Sequence, residues 1–173
     1  MNQIIVRIAT ASDAELIAEL SRTTFYEAFI ADNRKEDMDD FMNHTFTKEA
    51  LIKEVGSAGN IFLLAYDEGK AVGYARLREG TVPALNNSNA IEVARIYAAT
   101  GQVGKGVGKA LMQKSLDVAE QQGKDVIWLG VWEHNPRAIH FYQKFGFEKF
   151  DEHDFVLGKD VQKDWLMKRN VIK

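Results

Sequence analysis

The sequence predicts a mixed α/β (α+β) fold: a mostly antiparallel central sheet that contains one parallel strand pair. Three observations predict it. Two apolar runs, Asn60 to Tyr66 and Ala71 to Arg78, flank the turn Asp67-Glu68-Gly69-Lys70 and read as a hairpin. The stretch Ala90 to Val131 reads as strand, glycine-dense turn, helix and strand, a crossover that makes its two strands parallel. Phe147 to Phe155 and Val161 to Met167 then read as a closing hairpin across Leu157-Gly158-Lys159-Asp160.

Taken in order, Ile4 to Ile8 alternates as a strand, and Ser12 with Glu15 three residues on forms a capping box that starts a helix. Leu16, Ile17, Leu20, Thr24 and Ala28 share one face of that helix, while Phe25, Tyr26 and Phe29 spread towards other faces, as core packing or as the wall of a cleft. Ala31 to Asp40 is acidic. Its carboxylates suit either a solvated helix start or a negative rim that draws a cationic amine. Phe41, Met42 and Phe46 suggest a short buried face, and Thr47 to Val55 a helix broken by Gly56-Ser57-Ala58-Gly59. Gly80 to Asn89 is loop, Ala90 to Ala98 a strand, roughly Val107 to Gln122 a helix and Asp125 to Val131 a strand. The last helix has Asn135 as N-cap, Pro136 at its first position and Gly146 as its stop.

Composition narrows the function. The length of 173 residues suits one domain, and the net charge of −3 argues against bulk nucleic-acid binding. The absence of cysteine excludes a disulfide framework, a thiolate metal site and an acyl-cysteine intermediate. The N-terminal residues run straight into a strand pattern, so neither a signal peptide nor a membrane span is expected, and a cytoplasmic address follows. His44, His134, His140 and His153 lack metal-ligand spacing, so no metal is expected.

The informative turn is Gly104-Lys105-Gly106-Val107-Gly108-Lys109. Glycines at alternate positions let the backbone curl with positive φ just where a helix begins. The unpaired amides and partial positive charge of that helix start form a phosphate cradle, to which Lys105 and Lys109 add cations. A dinucleotide pattern fails here, because its third glycine would fall on Lys109 or Leu111. The nucleotide-triphosphate loop fails too, because Val107 stands where it needs lysine.

The segment resembles the Arg/Gln-x-x-Gly-x-Gly/Ala signature of the GNAT superfamily of N-acetyltransferases: Gly106 and Gly108 match, and Val103 stands at the Arg/Gln position with Gln102 one residue early. A second stretch, Asn135-x-Arg137-Ala138-x-x-Phe141-Tyr142-x-x-x-Gly146-Phe147, is similar to that superfamily's second signature and follows at the expected distance. The pattern Trp128-Leu129-Gly130-Val131-Trp132-Glu133-His134-Asn135, the acidic entry helix and Glu152-His153 to Leu157-Gly158 are similar to the PaiA-like spermidine/spermine acetyltransferases.

The resemblance implies one N-acetyltransferase domain over residues 1–173, with helices on both faces of the sheet and a parallel strand pair that splays apart. It implies acetyl-CoA as co-substrate, its pyrophosphate held by Val103, Gly104, Lys105, Gly106, Val107, Gly108 and Lys109, and its pantetheine arm by the main chain of Ile96, Tyr97 and Ala98. Asn135 would touch the cofactor and Lys144 its nucleotide end. Acyl transfer from a thioester to an amine needs a neutral amine, a polarised carbonyl and an acid for the leaving thiolate. Tyr142 is the candidate acid. Glu92 is the first candidate base, because strict alternation places it on the side of Ala94 and Ile96; Glu133 and His134 are runners-up. The expected acceptor is a small cationic amine such as spermidine or spermine, attacked directly in a ternary complex. Alternatives are a protein N-terminus, an aminoglycoside or an amino acid as acceptor, or a non-catalytic acetyl-CoA sensor. No nucleic-acid or membrane partner is expected, and a homodimer is left open.

Overall fold

A computed structural model describes residues 3–86 and 88–172. Seven strands form one sheet: β1 (Ile5–Ile8), β2 (Asn60–Asp67), β3 (Lys70–Glu79), β4 (Ala90–Ala98), β5 (Val126–Trp132), β6 (Glu148–Leu157) and β7 (Asp160–Asn170). Their order is β1-β2-β3-β4-β5-β7-β6, and every neighbouring pair is antiparallel except β4 and β5, which the crossover makes parallel. The helices are α1 (Ala14–Phe29), α2 (Lys35–His44), α3 (Lys48–Glu54), α4 (Val107–Gln121) and α5 (Pro136–Lys144).

Side-chain alternation gives the sheet two apolar faces. Leu63, Leu77, Ile91 and Leu129 point to the side covered by α4 and α5, where Leu111 and Ile139 join the same core. Phe62, Leu64 and Tyr74 point to the other side and pack with Ile17 of α1. A third cluster ties α1 to α2 and α3 through Phe25, Met38, Phe41 and Leu51. Thus α1 to α3 lie on one face and α4 with α5 on the other.

Two details of the entry region differ from the sequence expectation. The capping box uses Thr10 and Asp13, not Ser12 and Glu15: the Thr10 amide donates to Asp13 Oδ2 at 2.8 Å, and a short 3-10 turn (Ala11–Asp13) precedes α1. Arg7 selects this pair, since its guanidinium reaches both Asp13 oxygens at 2.8 and 2.9 Å. The buried face of α1 is Ile17, Ala18, Ser21, Thr24 and Phe25, because the helix packs against α2 and α3 as well as the sheet.

The strand pair around which the site forms separates part-way along. β4 and β5 are paired only from Ala90–Val126 to Val93–Leu129, whereas β4 stays paired with β3 up to Ala98. A bulge sits where they part: Leu77 faces Val93 and Arg76 faces Arg95, which leaves Ala94 as the extra residue. A bulge bends its strand and raises its twist, so the C-terminal half of β4 follows β3 while β5 follows β7.

Candidate active site

The separation of β4 from β5 opens a cavity of about 1540 Å³ that reaches from the α4/α5 face to the α1–α3 face. Its floor on one side is β4. The Ala99 amide donates to Val72 O at 2.8 Å, so residue 99, and by alternation Tyr97 and Arg95, direct their main-chain groups at β3. The amides and carbonyls of Ile96 and Ala98 therefore point into the gap, where among the described residues no strand meets them. Ile96, Tyr97 and Ala98 all line the cavity.

On the α4/α5 face the cavity ends at the glycine turn. Gly101, Gly104 and Gly106 have φ of 75°, 83° and 88°, the left-handed region that a side chain disfavours. Gly106 is the N-cap of α4, and the first amide of the helix with a partner there is Ala110, which donates to Gly106 O at 3.0 Å. Among the described residues no backbone partner meets the amides of Val107, Gly108 or Lys109, and together they present the positive end of α4. Gly108 lies under the Phe141 ring, where a Cβ would stand at 3.4 Å, an ordinary contact. Lys109, Arg137 and Lys144 line this end, and Arg137 Nη2 lies 3.6 Å from where a Cβ on Gly104 would stand.

Several expected cofactor residues act differently from their neighbours. Val103, Gly104, Gly106, Gly108, Lys109, Asn135 and Lys144 line the cavity. Val107 is 1% exposed in the core, so only its main chain faces the turn, and the exposed Lys105 is absent from the cavity wall. Asn135 caps α5 by accepting from the Ala138 amide at 3.2 Å. Arg137 stands in the second signature five residues before Tyr142, and its basic side chain is the signal that could have pointed to it.

Tyr142 stands where the strands part. Its ring is fixed edge-on to Phe141 and Phe147, with centroids 5.4 and 6.1 Å away, and it lines the cavity while 8% exposed. No hydrogen bond to its hydroxyl is formed among the described residues. Burial pushes its pKa up, so the phenol keeps its proton at neutral pH and can serve as a donor.

Glu92 is placed outside the cavity wall, contrary to the sequence expectation. Its place on the still-paired half of β4 is the cause, and what changes its face is the bulge at Ala94. It inverts the phase of β4, so that Ile91 and Val93 share the α4/α5 face with Ile96 and Ala98, whereas Glu92 shares the opposite face with Tyr97. Glu92 lies on the still-paired part of β4, opposite Trp128, and its Oε1 accepts from Arg78 Nε and Nη2 at 2.9 and 2.5 Å. Glu133 and His134 pair with each other at 3.1 Å and are also outside the wall.

The acidic stretch does not form a rim either. Asp37 is buried, accepting from Arg34 Nε at 3.0 Å and from the Lys159 amide at 3.2 Å, which pins α2 to the β6–β7 turn. Asp39 pairs with Lys35 at 2.7 Å and Asp40 with His44 at 3.1 Å. None of Asp32, Glu36, Asp37, Asp39 or Asp40 lines the cavity.

The α1–α3 end of the cavity is instead aromatic, with three carboxylates. Phe25, Phe29, Phe41 and Phe155 line it, and Trp132 meets Phe29 edge-on at 6.1 Å. Glu54 is held by Arg76 at 2.5 Å and Arg95 at 2.9 Å, and burial pulls Arg76 down to about 10 despite that carboxylate. Glu27 accepts from the Thr100 hydroxyl, tying α1 to the glycine turn. Asp164 of β7 faces His153 Nε2 at 3.7 Å. The only signal for Asp164 in the sequence is an aspartate inside a strand, where it is disfavoured. Among the described residues no group of three His, Cys, Asp or Glu comes together to hold a metal ion, and no helix is long and apolar enough to cross a membrane.

Comparison with known proteins agrees with this architecture. The model of the acetyltransferase (GNAT) family matches residues 17–147. An uncharacterised N-acetyltransferase from the pepI 3′ region of Lactobacillus delbrueckii subsp. lactis is 36% identical, covering 97% of each chain. The L-amino acid N-acyltransferase MnaT of Escherichia coli is 26% identical over 82% of this chain and 78% of its own. A protein of Bacillus subtilis subsp. natto named as a probable spermine N(1)-acetyltransferase is 33% identical over 57% of this chain and 66% of its own. Among solved structures, the PaiA N-acetyltransferase of Thermoplasma acidophilum in complex with coenzyme A superimposes with a TM-score of 0.76 at 21% identity, covering 97% of this chain and 99% of that one.

Proposed function

The chain belongs to the GNAT family of acetyltransferases and is an acetyl-CoA-dependent N-acetyltransferase; from that premise we propose that its acceptor is a small cationic amine of the polyamine class, acetylated by direct attack in a ternary complex. The observation that carries the proposal is the change of character along one cavity. Unpaired amides with Lys109, Arg137 and Lys144 occupy one end, and aromatic rings with Glu27 and Asp164 the other. The basic end suits a diphosphate. The other suits methylene chains lying against Phe25, Phe29 and Trp132 with ammonium groups near carboxylates. The relative named for spermine supports the same acceptor class.

In this reading residues 1–173 act as one domain. The amides of Ile96 and Ala98 pair with the pantetheine arm as an added strand, and one of them polarises the acetyl carbonyl. The pyrophosphate sits on the turn from Val103 to Lys109. The thioester then lies in the gap beside Tyr142, reached by the amine from the opposite face of the sheet. Tyr142 donates to the sulfur as the C–S bond breaks.

The test is release of coenzyme A thiol by the purified protein with acetyl-CoA and a panel of amines. Spermine or spermidine should give the highest kcat/KM, and Tyr142→Phe should lower kcat by roughly ten-fold or more with coenzyme A affinity preserved. Preference for a neutral amino acid would overturn the polyamine assignment, and full activity in Tyr142→Phe would remove the tyrosine from the mechanism.

A further inference from the structure

Glu92, Glu133 and His134 all lie outside the cavity wall, so the group that takes the amine's proton has to be sought elsewhere. Three carboxylates line the acceptor side. Glu54 is neutralised by two guanidinium groups at 2.5 and 2.9 Å, and Glu27 is bonded to Thr100 at the rim beside the glycine turn. Among the described residues Asp164 alone of the three has no arginine, lysine or hydroxyl on it; its partner is His153, and it lines the gap.

Its position follows from strand register. Asp164 pairs with Trp132 on β5 and with His153 on β6, so the three residues form one rung at the open end of the sheet. Trp165 and Met167 belong to the α4/α5 core and Leu166 to the opposite side, so alternation turns Asp164 towards α1–α3, the side from which the amine arrives. Asp164 lies beside Gly130: a Cβ there would stand 3.5 Å from Asp164 Oδ2 and 3.8 Å from His153 Nε2. The carboxylate therefore lies over the glycine of β5, across the gap from β4, whose Tyr97 feels its charge.

We propose that Asp164 is the base that takes the ammonium proton of the acceptor, and that His153 behind it is a positioning residue that passes the proton to solvent. This rests on the acetyltransferase reading of the cavity. The nitrogen loses two protons over the reaction. One goes from the ammonium to Asp164, then to the half-exposed His153 when its ring carries no proton on Nε2, and out to water. The neutral nitrogen forms the C–N bond, the C–S bond breaks, and sulfur takes the Tyr142 proton. The second nitrogen proton restores the phenol. Burial holds the Asp164 pKa above the usual carboxylate range, which brings it nearer to the pH at which a base works, and a proton on His153, when present, opposes that rise. The other titratable group facing it is Tyr97 of β4, itself raised by burial and so neutral; β5 contributes only Gly130 and Trp132 there.

The experiment compares wild type, Asp164→Asn and His153→Gln as full chains in pH profiles of kcat/KM for the best amine, alongside calorimetric titration with coenzyme A. Asp164→Asn should bind coenzyme A within about two-fold of wild type and lose roughly 100-fold or more in kcat/KM near neutral pH. The loss should shrink as pH rises and the free amine becomes neutral unaided. Removing the imidazolium should let the Asp164 pKa rise further, so His153→Gln should move the acid limb of the profile to higher pH. The proposal is overturned if Asp164→Asn retains activity within a few-fold, if its loss is the same at every pH or lies in KM alone, or if His153→Gln leaves the acid limb in place. Absence of turnover by the wild type with every amine would instead overturn the acetyltransferase reading itself.

Discussion

Gly73→Ala should weaken coenzyme A binding from a residue that never touches the cofactor. Gly73 lies on β3 opposite Ala98, beneath the first turn of α4. A Cβ there would stand 2.6 Å from Val107 Cγ1, 2.7 Å from Tyr97 O and 3.3 Å from Leu111 Cδ1. Ordinary contact begins at 3.4 Å, so the two closest are short by about 0.8 and 0.7 Å. Neither neighbour yields easily. Val107 is β-branched, 1% exposed and held to one rotamer in a helix, and the Tyr97 carbonyl belongs to the β3–β4 ladder. The backbone must therefore move. The parts that move are the start of α4, with its unpartnered amides, and the stretch of β4 between the Ile96 and Ala98 amides. Overpacking of this kind costs about 1–3 kcal/mol, roughly 3–10 °C in Tm for a domain of this size. Displacement of a binding group by nearly 1 Å costs of order 100-fold in rate. The assay is calorimetric titration with coenzyme A, together with kcat, well below the variant's own Tm. Gly59→Ala is the control: its φ of 78° makes it strained, but its nearest contact, Glu79 Cβ at 3.6 Å, is ordinary and it lies outside the cavity wall. It should lower Tm and leave affinity alone. If Gly73→Ala keeps both coenzyme A affinity and kcat within two-fold of wild type, the claim that the turn and β4 act as one rigid cradle is refuted.

Three further outcomes follow from the same geometry. Arg137→Ala should raise the coenzyme A Kd by roughly ten-fold, with a weaker dependence on salt, because the guanidinium beside Gly104 is exposed and carries no ion pair among the described residues; an unchanged Kd would detach it from the cofactor. Glu54→Ala leaves Arg76 and Arg95 facing each other with no carboxylate and should cost about 2–3 kcal/mol, less than a fully buried pair because these side chains are 9–21% exposed; chemical denaturation measures it. The Arg7 guanidinium and the Thr10 amide hold Asp13 well below the usual carboxylate range. Its contribution to stability is therefore complete above the unfolded value of about 4 and is lost as pH falls below it. Asp13→Asn should flatten the acid side of the Tm–pH curve below about pH 4, and an unaltered curve would show that the pair does not act.

How much of this could be read beforehand depends on the range of the interactions involved. The order of strands and helices, the bare amides of the glycine turn and the placing of Tyr142 on a capped helix all follow from local features: a period of two or 3.6, glycines with positive φ, an Asn-Pro helix start. Such features are set by neighbours a few residues apart. The capping box near the start was expected two residues too late, at Ser12 and Glu15, because the deciding partner, Arg7, lies on the preceding strand. Asp37 looked like one carboxylate among many, and only the β6–β7 turn, more than a hundred residues away, turns it into a buried pin.

By itself, the sequence determined that a chain of this pattern makes a crossover with bare amides at a helix entrance and a phenol one motif later. Tertiary structure alone decided which carboxylates line the cavity. A single extra residue at Ala94 reverses the phase of β4, placing Glu92 on the face of Tyr97 instead of that of Ile96, on the paired half of the strand beside Arg78. Strand pairing between β5, β7 and β6 brings Trp132, Asp164 and His153 to one rung from three separate segments. The physical reason is that alternation along a strand is dictated locally, whereas its phase relative to the rest of the sheet is set by hydrogen bonds to partners that are distant in the chain.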